Sequence, residues 1–214
     1  MKYIEYPNRE EWLKGRINSI GASEVASVLG VGFLSALELW KIKTKATTPK
    51  DLSDNPRVKY GSDAEEHLRA LFALKNNDKY IVSYNPYRVY FHEQYEFLSC
   101  TLDGELTKIS DSTKGVWECK TVFINSKKQL DEWDGRLPDR YYVQVLEQLS
   151  ITGYKFAILT VELVYPEGNS EIRNFEIDRD EQVENDIEYV RNEVVEVWQK
   201  YVKTGKQPPT KISL

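Results

Sequence analysis

The amino-acid sequence predicts an α/β protein in which helices flank a central mixed β-sheet. Three observations lead to this fold class. Helical apolar patterns occupy most of the N-terminal third, aromatic and β-branched runs follow one another in the middle of the chain, and helices then alternate with strands. Because some strands are separated by short turns and others by a helix, we expect antiparallel and parallel neighbours in one sheet.

Seven helices are predicted from apolar periodicity and from residues typical of helix ends. Ser23 and Ser35 are the expected N-caps of the second and third helices, and Gly30 and Gly153 are expected to end helices. The fourth helix should bury a stripe that contains Leu68. The predicted helical ranges are residues 9–18, 23–29, 36–44, 57–76, 126–133, 139–152 and 180–203.

Six strands are predicted from runs rich in aromatic and β-branched residues, with turn-forming residues nearby. The predicted strand ranges are residues 80–84, 87–92, 97–106, 115–122, 156–163 and 172–177. Neither an internal repeat nor a linker interrupts the pattern of helices and strands. Residues 1–214 are therefore predicted to form a single domain.

Composition and charge narrow the class of protein. The 214 residues are 41% hydrophobic and 29% charged, which is typical of a globular protein. No apolar run approaches the roughly 20 residues that a membrane span needs, and the N-terminus lacks the apolar core of a signal peptide, so we expect a cytoplasmic protein without a membrane partner. The net charge of −5 argues mildly against nucleic-acid binding, although a metal-dependent nuclease also concentrates carboxylates.

Cys100 and Cys119 are the two cysteines of the chain, and both lie in predicted strands. Two cysteines cannot supply the four thiolates of a Cys₄ zinc site or of an iron–sulfur cluster. We therefore expect both residues to be buried thiols in a reducing compartment.

The strongest functional signal consists of Asp103 at a strand end and Glu118-Cys119-Lys120 in the next strand. Because side chains alternate along a strand, Glu118 and Lys120 should share one face while Cys119 points to the other. Two carboxylates brought close together repel each other unless a cation joins them, and carboxylate and carbonyl oxygens are the ligands that Mg²⁺ and Mn²⁺ prefer. The pattern therefore predicts metal-assisted cleavage of a phosphodiester.

Five motifs in order make the chain similar to the lambda exonuclease / YqaJ family of the PD-(D/E)XK nuclease superfamily. The resemblance covers most of the chain, from about Trp12 to Thr152, and implies a restriction-endonuclease-like core. The family usually has Pro where this chain has Leu102. The motifs are Trp12-Leu13-Lys14-Gly15-Arg16 with Ile20-Gly21-Ala22-Ser23-Glu24, Tyr60-Gly61-Ser62-Asp63-Ala64-Glu65, Ser99-Cys100-Thr101-Leu102-Asp103-Gly104, Glu118-Cys119-Lys120, and Tyr141-Tyr142-Val143-Gln144-Val145-Leu146-Glu147-Gln148.

The resemblance implies a role for each matching residue. Catalysis falls to Asp103, Glu118, Lys120, Glu65 and Gln144, metal binding to Asp103, Glu118, Glu65 and the Cys119 carbonyl, and binding of a terminal 5′-phosphate to Arg16 and Ser23. Two Mg²⁺ ions per site are expected, with Mn²⁺ as a substitute. By the same analogy, Glu147 would add a further contact and Val58 would act as an apolar wedge between the DNA strands.

The activity implied by the resemblance is a 5′→3′ exonuclease that digests one strand of linear double-stranded DNA. Its products would be 5′-mononucleotides and a 3′ overhang, which suit phage-type single-strand annealing recombination. The expected partners are double-stranded DNA ends, further copies of the chain in a ring-shaped trimer, and a phage single-strand annealing protein.

Two other functions compete with this interpretation. A PD-(D/E)XK endonuclease of restriction or repair type would share Asp103, Glu118 and Lys120 but would not need Arg16 and Ser23. A non-catalytic nucleic-acid-binding or assembly module could keep the same fold. The presence of all three charged residues argues against the module, and cleavage of closed circular DNA would favour the endonuclease.

Overall fold

The structure is a computed structural model that describes residues 1–209, so residues 210–214 of the predicted domain lie outside the described part. Within this part, no helix is long and apolar enough to cross a membrane. In chain order the elements are β1 (Lys2–Glu5), α1 (Arg9–Arg16), β2 (Ile20–Gly21), α2 (Ala22–Val28), α3 (Ala36–Lys43), α4 (Pro56–Lys75), β3 (Tyr80–Ser83), β4 (Arg88–Phe91), β5 (Leu98–Cys100), β6 (Gly104–Lys108), β7 (Lys114–Phe123), α5 (Lys127–Asp131), α6 (Asp139–Thr152), β8 (Phe156–Val164), β9 (Ser170–Asp178), α7 (Glu181–Val197) and a π-helical turn (Trp198–Val202).

A five-stranded mixed sheet in the order β3-β6-β7-β8-β9 forms the centre of the molecule and confirms the predicted fold class. Strands β7 and β8 are parallel, and the other neighbouring pairs of this sheet are antiparallel. Helix α6 connects β7 to β8, which is how two parallel neighbours are normally joined. Helix α4 packs on one face of the sheet and α6 on the other.

A second sheet of four strands, in the order β1-β4-β5-β2, was not predicted from the sequence. The single strand predicted over residues 97–106 is wrong, because it consists of β5 and β6, which belong to different sheets. Residues on both sides of the crossing are buried, so the apolar pattern gives no sign of a break. The crossing places Asp103 directly before the central strand β6.

The seven predicted helices are all present, and α6 has the predicted bounds at both ends. Helix α2 begins one residue earlier than predicted, and its N-cap is Gly21, so the prediction of Ser23 as the N-cap is wrong. The physical reason is that the Glu24 carboxylate accepts a hydrogen bond from the Gly21 N–H at 2.8 Å, which leaves Ser23 inside the first turn. Ser35 caps α3 as predicted.

Two apolar clusters lie on opposite faces of the central sheet. The larger cluster joins α2, α6 and α7 to β7 and β8. The smaller cluster joins Leu68 and Phe72 of α4 to Trp117 of β7, which confirms the predicted stripe on α4. Helix α4 approaches β7 closely at Gly61, where a Cβ atom would lie 2.9 Å from Thr121 Oγ1. This close approach brings the start of α4 to the edge of a cleft.

Candidate active site

A cleft of about 790 Å³ lies between α4, α6, the end of β7 and the loop that follows α2. Glu118 lies directly behind the cleft floor and is 2% exposed. Six of the predicted site residues line the cleft, namely Ser23, Glu65, Asp103, Cys119, Lys120 and Gln144. The structure therefore brings together at one cleft residues that are far apart in the sequence.

The pairing of β6 with β7 explains why Asp103 and Glu118 meet. Gly104 pairs with Trp117 in this antiparallel ladder, so the residue before Gly104 lies beside the residue after Trp117. Asp103 Oδ2 accepts a hydrogen bond from the Cys119 N–H at 2.9 Å, which fixes the carboxylate against β7. The two carboxylates are thus positioned by backbone pairing rather than by flexible loops.

The two faces of β7 separate the Cys119 thiol from its neighbours, as predicted. Glu118 and Lys120 face α6, where Lys120 Nζ lies 2.5 Å from Glu118 Oε1. The Cys119 side chain belongs to the apolar cluster that contains Leu68 and Phe72 of α4. The Cys119 carbonyl therefore stays a predicted ligand, while the thiol is a packing group.

Glu118 is surrounded by hydrogen-bond donors. Besides Lys120, Gln144 Nε2 lies 2.5 Å from Glu118 Oε1, and Gln148 Nε2 lies 2.6 Å from Glu118 Oε2. Gln144 and Gln148 are four residues apart on α6, so both amides face the same strand. A buried carboxylate is costly unless it is paired and hydrogen-bonded, and these three donors supply that compensation.

The cleft crowds carboxylates around one ammonium group. Burial raises the pKa of Asp103 well above its usual value, and the neighbouring Glu118 raises it further while Lys120 opposes the rise. Burial also raises the pKa of Glu65. For Lys120, burial lowers the pKa, but the carboxylates of Glu118 and Asp103 outweigh burial, so the pKa is raised and the ammonium stays charged. Additional positive charge would therefore stabilise the cleft.

Glu65 is held in place by Arg69, one turn further along α4. Arg69 Nη1 lies 3.0 Å from Glu65 Oε1 and donates to the Asp103 carbonyl oxygen at 2.8 Å. The Arg69 guanidinium also lies 3.8 Å from the centroid of the Tyr84 ring. Arg69 thereby ties α4 to the segment that carries Asp103. The sequence prediction missed Arg69, although its i+4 spacing from Glu65 is a recognisable signal.

The oxygen ligands of the cleft fit a divalent cation that is bound only partly by protein. Within residues 1–209, no three acidic, histidine or cysteine side chains are grouped closely enough to form a complete protein cage. Mg²⁺ usually takes one or two carboxylates and completes its shell with water and phosphate oxygens. Asp103 and Glu118 fit this arrangement best, because a cation would relieve their mutual repulsion. Glu65 and the Cys119 carbonyl are the remaining predicted ligands.

Arg16 is the last residue of α1 and Ser23 lies in the first turn of α2, and the two differ in whether they line the cleft. Ser23 is exposed and lines the cleft, whereas Arg16 is not among the described residues that line it. The Arg16 guanidinium packs 4.5 Å from the centroid of the Trp12 ring and lies beside Gly21, whose Cβ position would be 3.5 Å from Arg16 Nη2. Burial lowers the pKa of Arg16, and Glu24 is the main opposing charge.

Gln148 is a hydrogen-bond partner of Glu118 that the sequence prediction missed, whereas Glu147, the further contact expected by analogy, lies away from the described cleft lining. Gln148 is completely buried and bridges Glu118 to the Thr101 carbonyl, which lies 3.2 Å from Gln148 Nε2. Its i+4 spacing from Gln144 would have identified it. Glu147 is also completely buried, but it is not among the described residues that line the cleft.

The sequence has recognisable relatives. Residues 11–155 match the model of the YqaJ-like viral recombinase domain, which is more than half of the chain. The chain is 28% identical over 205 residues to the uncharacterized protein YqaJ of Bacillus subtilis (strain 168). This match covers 94% of the chain and 59% of the relative, so the chain spans about three fifths of the length of this curated protein.

Solved structures of nucleases share the fold. An alkaline exonuclease, LHK-Exo from Laribacter hongkongensis, is similar with a TM-score of 0.66 at 20% identity, covering 92% of this chain and 97% of that chain. LHK-Exo in complex with dAMP gives a TM-score of 0.67 at 20% identity, covering 92% and 96%. A phage related exonuclease from Haemophilus somnus 129PT gives 0.51 at 12% identity, covering 87% and 96%. The chain therefore belongs to the YqaJ-like viral recombinase domain family and has the fold of the phage-type exonucleases.

Proposed function

We propose that this protein is a metal-dependent deoxyribonuclease that digests one strand of linear double-stranded DNA in the 5′→3′ direction. The products would be 5′-mononucleotides and a duplex with a 3′ overhang. The observation that carries the proposal is the convergence of Asp103, Lys120 and Gln144 at the floor of one cleft, with Glu118 directly behind them and hydrogen-bonded to Lys120 and Gln144. The exonuclease names of the similar structures support the same reaction class.

The residues of the cleft floor supply groups that phosphodiester hydrolysis needs. Bound Mg²⁺ would polarise the scissile phosphate, lower the pKa of a water molecule and stabilise the leaving 3′-oxygen. Lys120, charged and held at Glu118, would orient the attacking water and stabilise the developing negative charge. Gln144 and Gln148 would hold Glu118 in one orientation, so that its carboxylate need not reorganise during the reaction.

Selection of a 5′ end would depend on Arg16 and Ser23. A guanidinium can donate two parallel hydrogen bonds to phosphate oxygens, and a serine hydroxyl can donate a third. Arg57 and Arg140 line the cleft and would bind the DNA backbone, although the chain as a whole carries a net charge of −5. These local cations explain how an acidic protein would bind a polyanion.

The wider assembly remains a prediction from the family resemblance. A ring-shaped trimer would keep the enzyme on its duplex, and a phage single-strand annealing protein would use the 3′ overhang. Val58 lines the cleft and is 42% exposed, which suits the predicted apolar wedge.

A linear duplex with a 5′-phosphate at one end only tests the proposal. With Mg²⁺, the protein should degrade the phosphorylated strand stepwise from that end and leave the complementary strand intact, and a chelator should stop the digestion. Closed circular duplex is the control substrate. Cleavage of the circle would favour the endonuclease alternative, and the absence of any Mg²⁺- or Mn²⁺-dependent cleavage would contradict the nuclease assignment.

A further inference from the structure

Phe33 lies in the cleft and is exposed to an unusual degree for a phenylalanine. Its exposure of 83% is the highest among the large apolar residues of the described chain, and it lines the same cleft as Asp103 and Lys120. Single exposed apolar residues are ordinary on protein surfaces. The meaning of this exposure therefore depends on how the ring is held and on what surrounds it.

The loop that carries Phe33 is fixed against α2. The Val31 N–H donates a hydrogen bond to the Ala26 carbonyl at 2.9 Å. A Cβ atom on Gly32 would lie 2.5 Å from the Ser27 nitrogen, so the backbone of Gly32 rests directly on the helix. Helix α3 begins three residues after Phe33 and fixes the other end of the loop. A ring presented on a fixed loop loses little conformational freedom when a ligand binds.

A row of cations and aromatic rings connects Phe33 with the catalytic floor. Arg140 Cζ lies 5.4 Å from the centroid of the Phe33 ring and 5.2 Å from that of Tyr141. Lys120 Nζ lies 5.9 Å from the Tyr141 centroid. The guanidinium is itself positioned by Glu132, whose Oε2 lies 2.9 Å from Arg140 Nη2. The row therefore forms a continuous path from Phe33 to Lys120 at the floor of the cleft.

This combination of groups fits a nucleotide whose base is unstacked. An aromatic face binds any base by stacking, and a guanidinium beside it attracts the adjoining phosphate. A base inside a duplex already stacks on both neighbours, so the ring can bind only a base at the duplex end or one released from it. We propose that Phe33 stacks on an unpaired or terminal base of the strand that enters the cleft, with Arg140 binding the adjoining phosphate. This inference rests on the proposed function and adds a binding site for the base.

Abasic substitution tests the stacking. Duplexes with a 5′-phosphate and an abasic site at each terminal position in turn are titrated with the wild type and with Phe33→Leu, with Ca²⁺ replacing Mg²⁺ to suppress cleavage. Phe33→Leu should bind intact DNA about tenfold more weakly. The affinity of Phe33→Leu should not fall further for the duplex that lacks the contacted base, whereas the affinity of the wild type should be lower for that duplex. Phe33→Trp should retain wild-type affinity.

Leu74→Ala is the matched control, since Leu74 is 70% exposed on α4 and lies outside the described cleft lining. It should leave binding unchanged. Equal affinity of the wild type and Phe33→Leu for intact DNA, or the same loss at every abasic position, would overturn the stacking. Wild-type cleavage of linear duplex in Mg²⁺ is measured in parallel. Cleavage without a base-specific effect rejects the stacking alone, whereas absence of both cleavage and DNA binding rejects the proposed function with it.

Discussion

Glu118 and Glu147 are both buried carboxylates beside α6, but their surroundings differ completely. Glu118 accepts hydrogen bonds from Lys120, Gln144 and Gln148. Glu147, at 0% exposure, has no hydrogen-bond partner within residues 1–209 for either carboxylate oxygen. The first residue lies directly behind the floor of the cleft, and the second belongs to the packed interior next to α7.

The comparison shows which of the two buried carboxylates has groups around it that can stabilise a negative charge. Burial raises the pKa of Glu147 to about 7, with Arg191 as the opposing charge. The Cys100 thiol also lies near, and burial together with Glu147 raises the pKa of that thiol. The neutral acid is thus the stable form of Glu147 up to about neutral pH. Glu118, by contrast, has a cation and two amides arranged around it, which compensate for its burial.

Lys120→Ala removes the ammonium group that pairs with Glu118 and should have the largest effect on activity. We expect Lys120→Ala to lower kcat about 10³-fold, because the attacking water loses its orienting cation. DNA affinity in the presence of Mg²⁺ should be retained. The measurement is nucleotide release from a 5′-phosphorylated duplex. Lys127→Ala, at an exposed position that starts α5, is the control for loss of a positive charge. A wild-type rate for Lys120→Ala would refute the mechanism.

Replacement of Glu147 by glutamine tests how the buried, uncompensated carboxyl of Glu147 affects the stability of the protein. The pKa of this carboxyl is 4.5 in the unfolded chain and about 7 in the folded protein, so the folded protein keeps the proton up to a higher pH. The contribution of Glu147 to the stability of the wild type should therefore fall as pH rises from about 4.5 to 7, by about 3 kcal/mol, and level off above that. Glu147→Gln should lack this fall. Urea unfolding at several pH values measures the difference, and parallel pH profiles would contradict the prediction.

The sequence predicted most elements of the fold because helix periodicity and capping are local signals. The bounds of α6 and the Ser35 cap agree with the structure. The second sheet escaped prediction because its β1–β4 and β2–β5 pairings join distant parts of the chain and its edge strands are weakly patterned. Strand β1 is exposed along its whole length, and β2 consists of two residues. The change of sheet before Asp103 is a tertiary event that residue alternation does not encode.

For the site, sequence patterns predicted residues within short motifs but not those positioned by tertiary packing. Glu118 and Lys120 were assigned to one face because strand alternation is regular, and Asp103 was added from its position at the end of the neighbouring strand. Gln148 and Glu147 are adjacent on α6, and only the packing of that helix decides which side chain reaches β7. Phe33 belongs to no motif, and the base contact proposed for it rests on its exposure inside the cleft.

Removal of one of the three hydrogen-bond donors to Glu118 should have an intermediate effect on activity. Gln148→Leu leaves Lys120 and Gln144 in place but frees Glu118 Oε2 from its amide. We expect kcat to fall about 10- to 100-fold with little change in KM, because Gln148 positions a ligand and does not touch the DNA. Gln182→Leu, on the exposed side of α7, is the matched control. A change in KM alone would contradict the positioning role.

Arg191→Met should have the smallest effect. It tests whether Arg191 is the charge that opposes the raised pKa of Glu147. Without the opposing cation, the pKa of Glu147 should rise beyond about 7, so the pH-dependent loss of stability should continue to higher pH, by less than about one unit. Burial lowers the pKa of His92 and Arg191 lowers it further, so the comparison is made above pH 7, where His92 is neutral. Arg191→Lys should keep the wild-type profile. The shift should vanish in a Glu147→Gln background, because the group that titrates is then absent, and a shift that persists there would assign the effect to another residue.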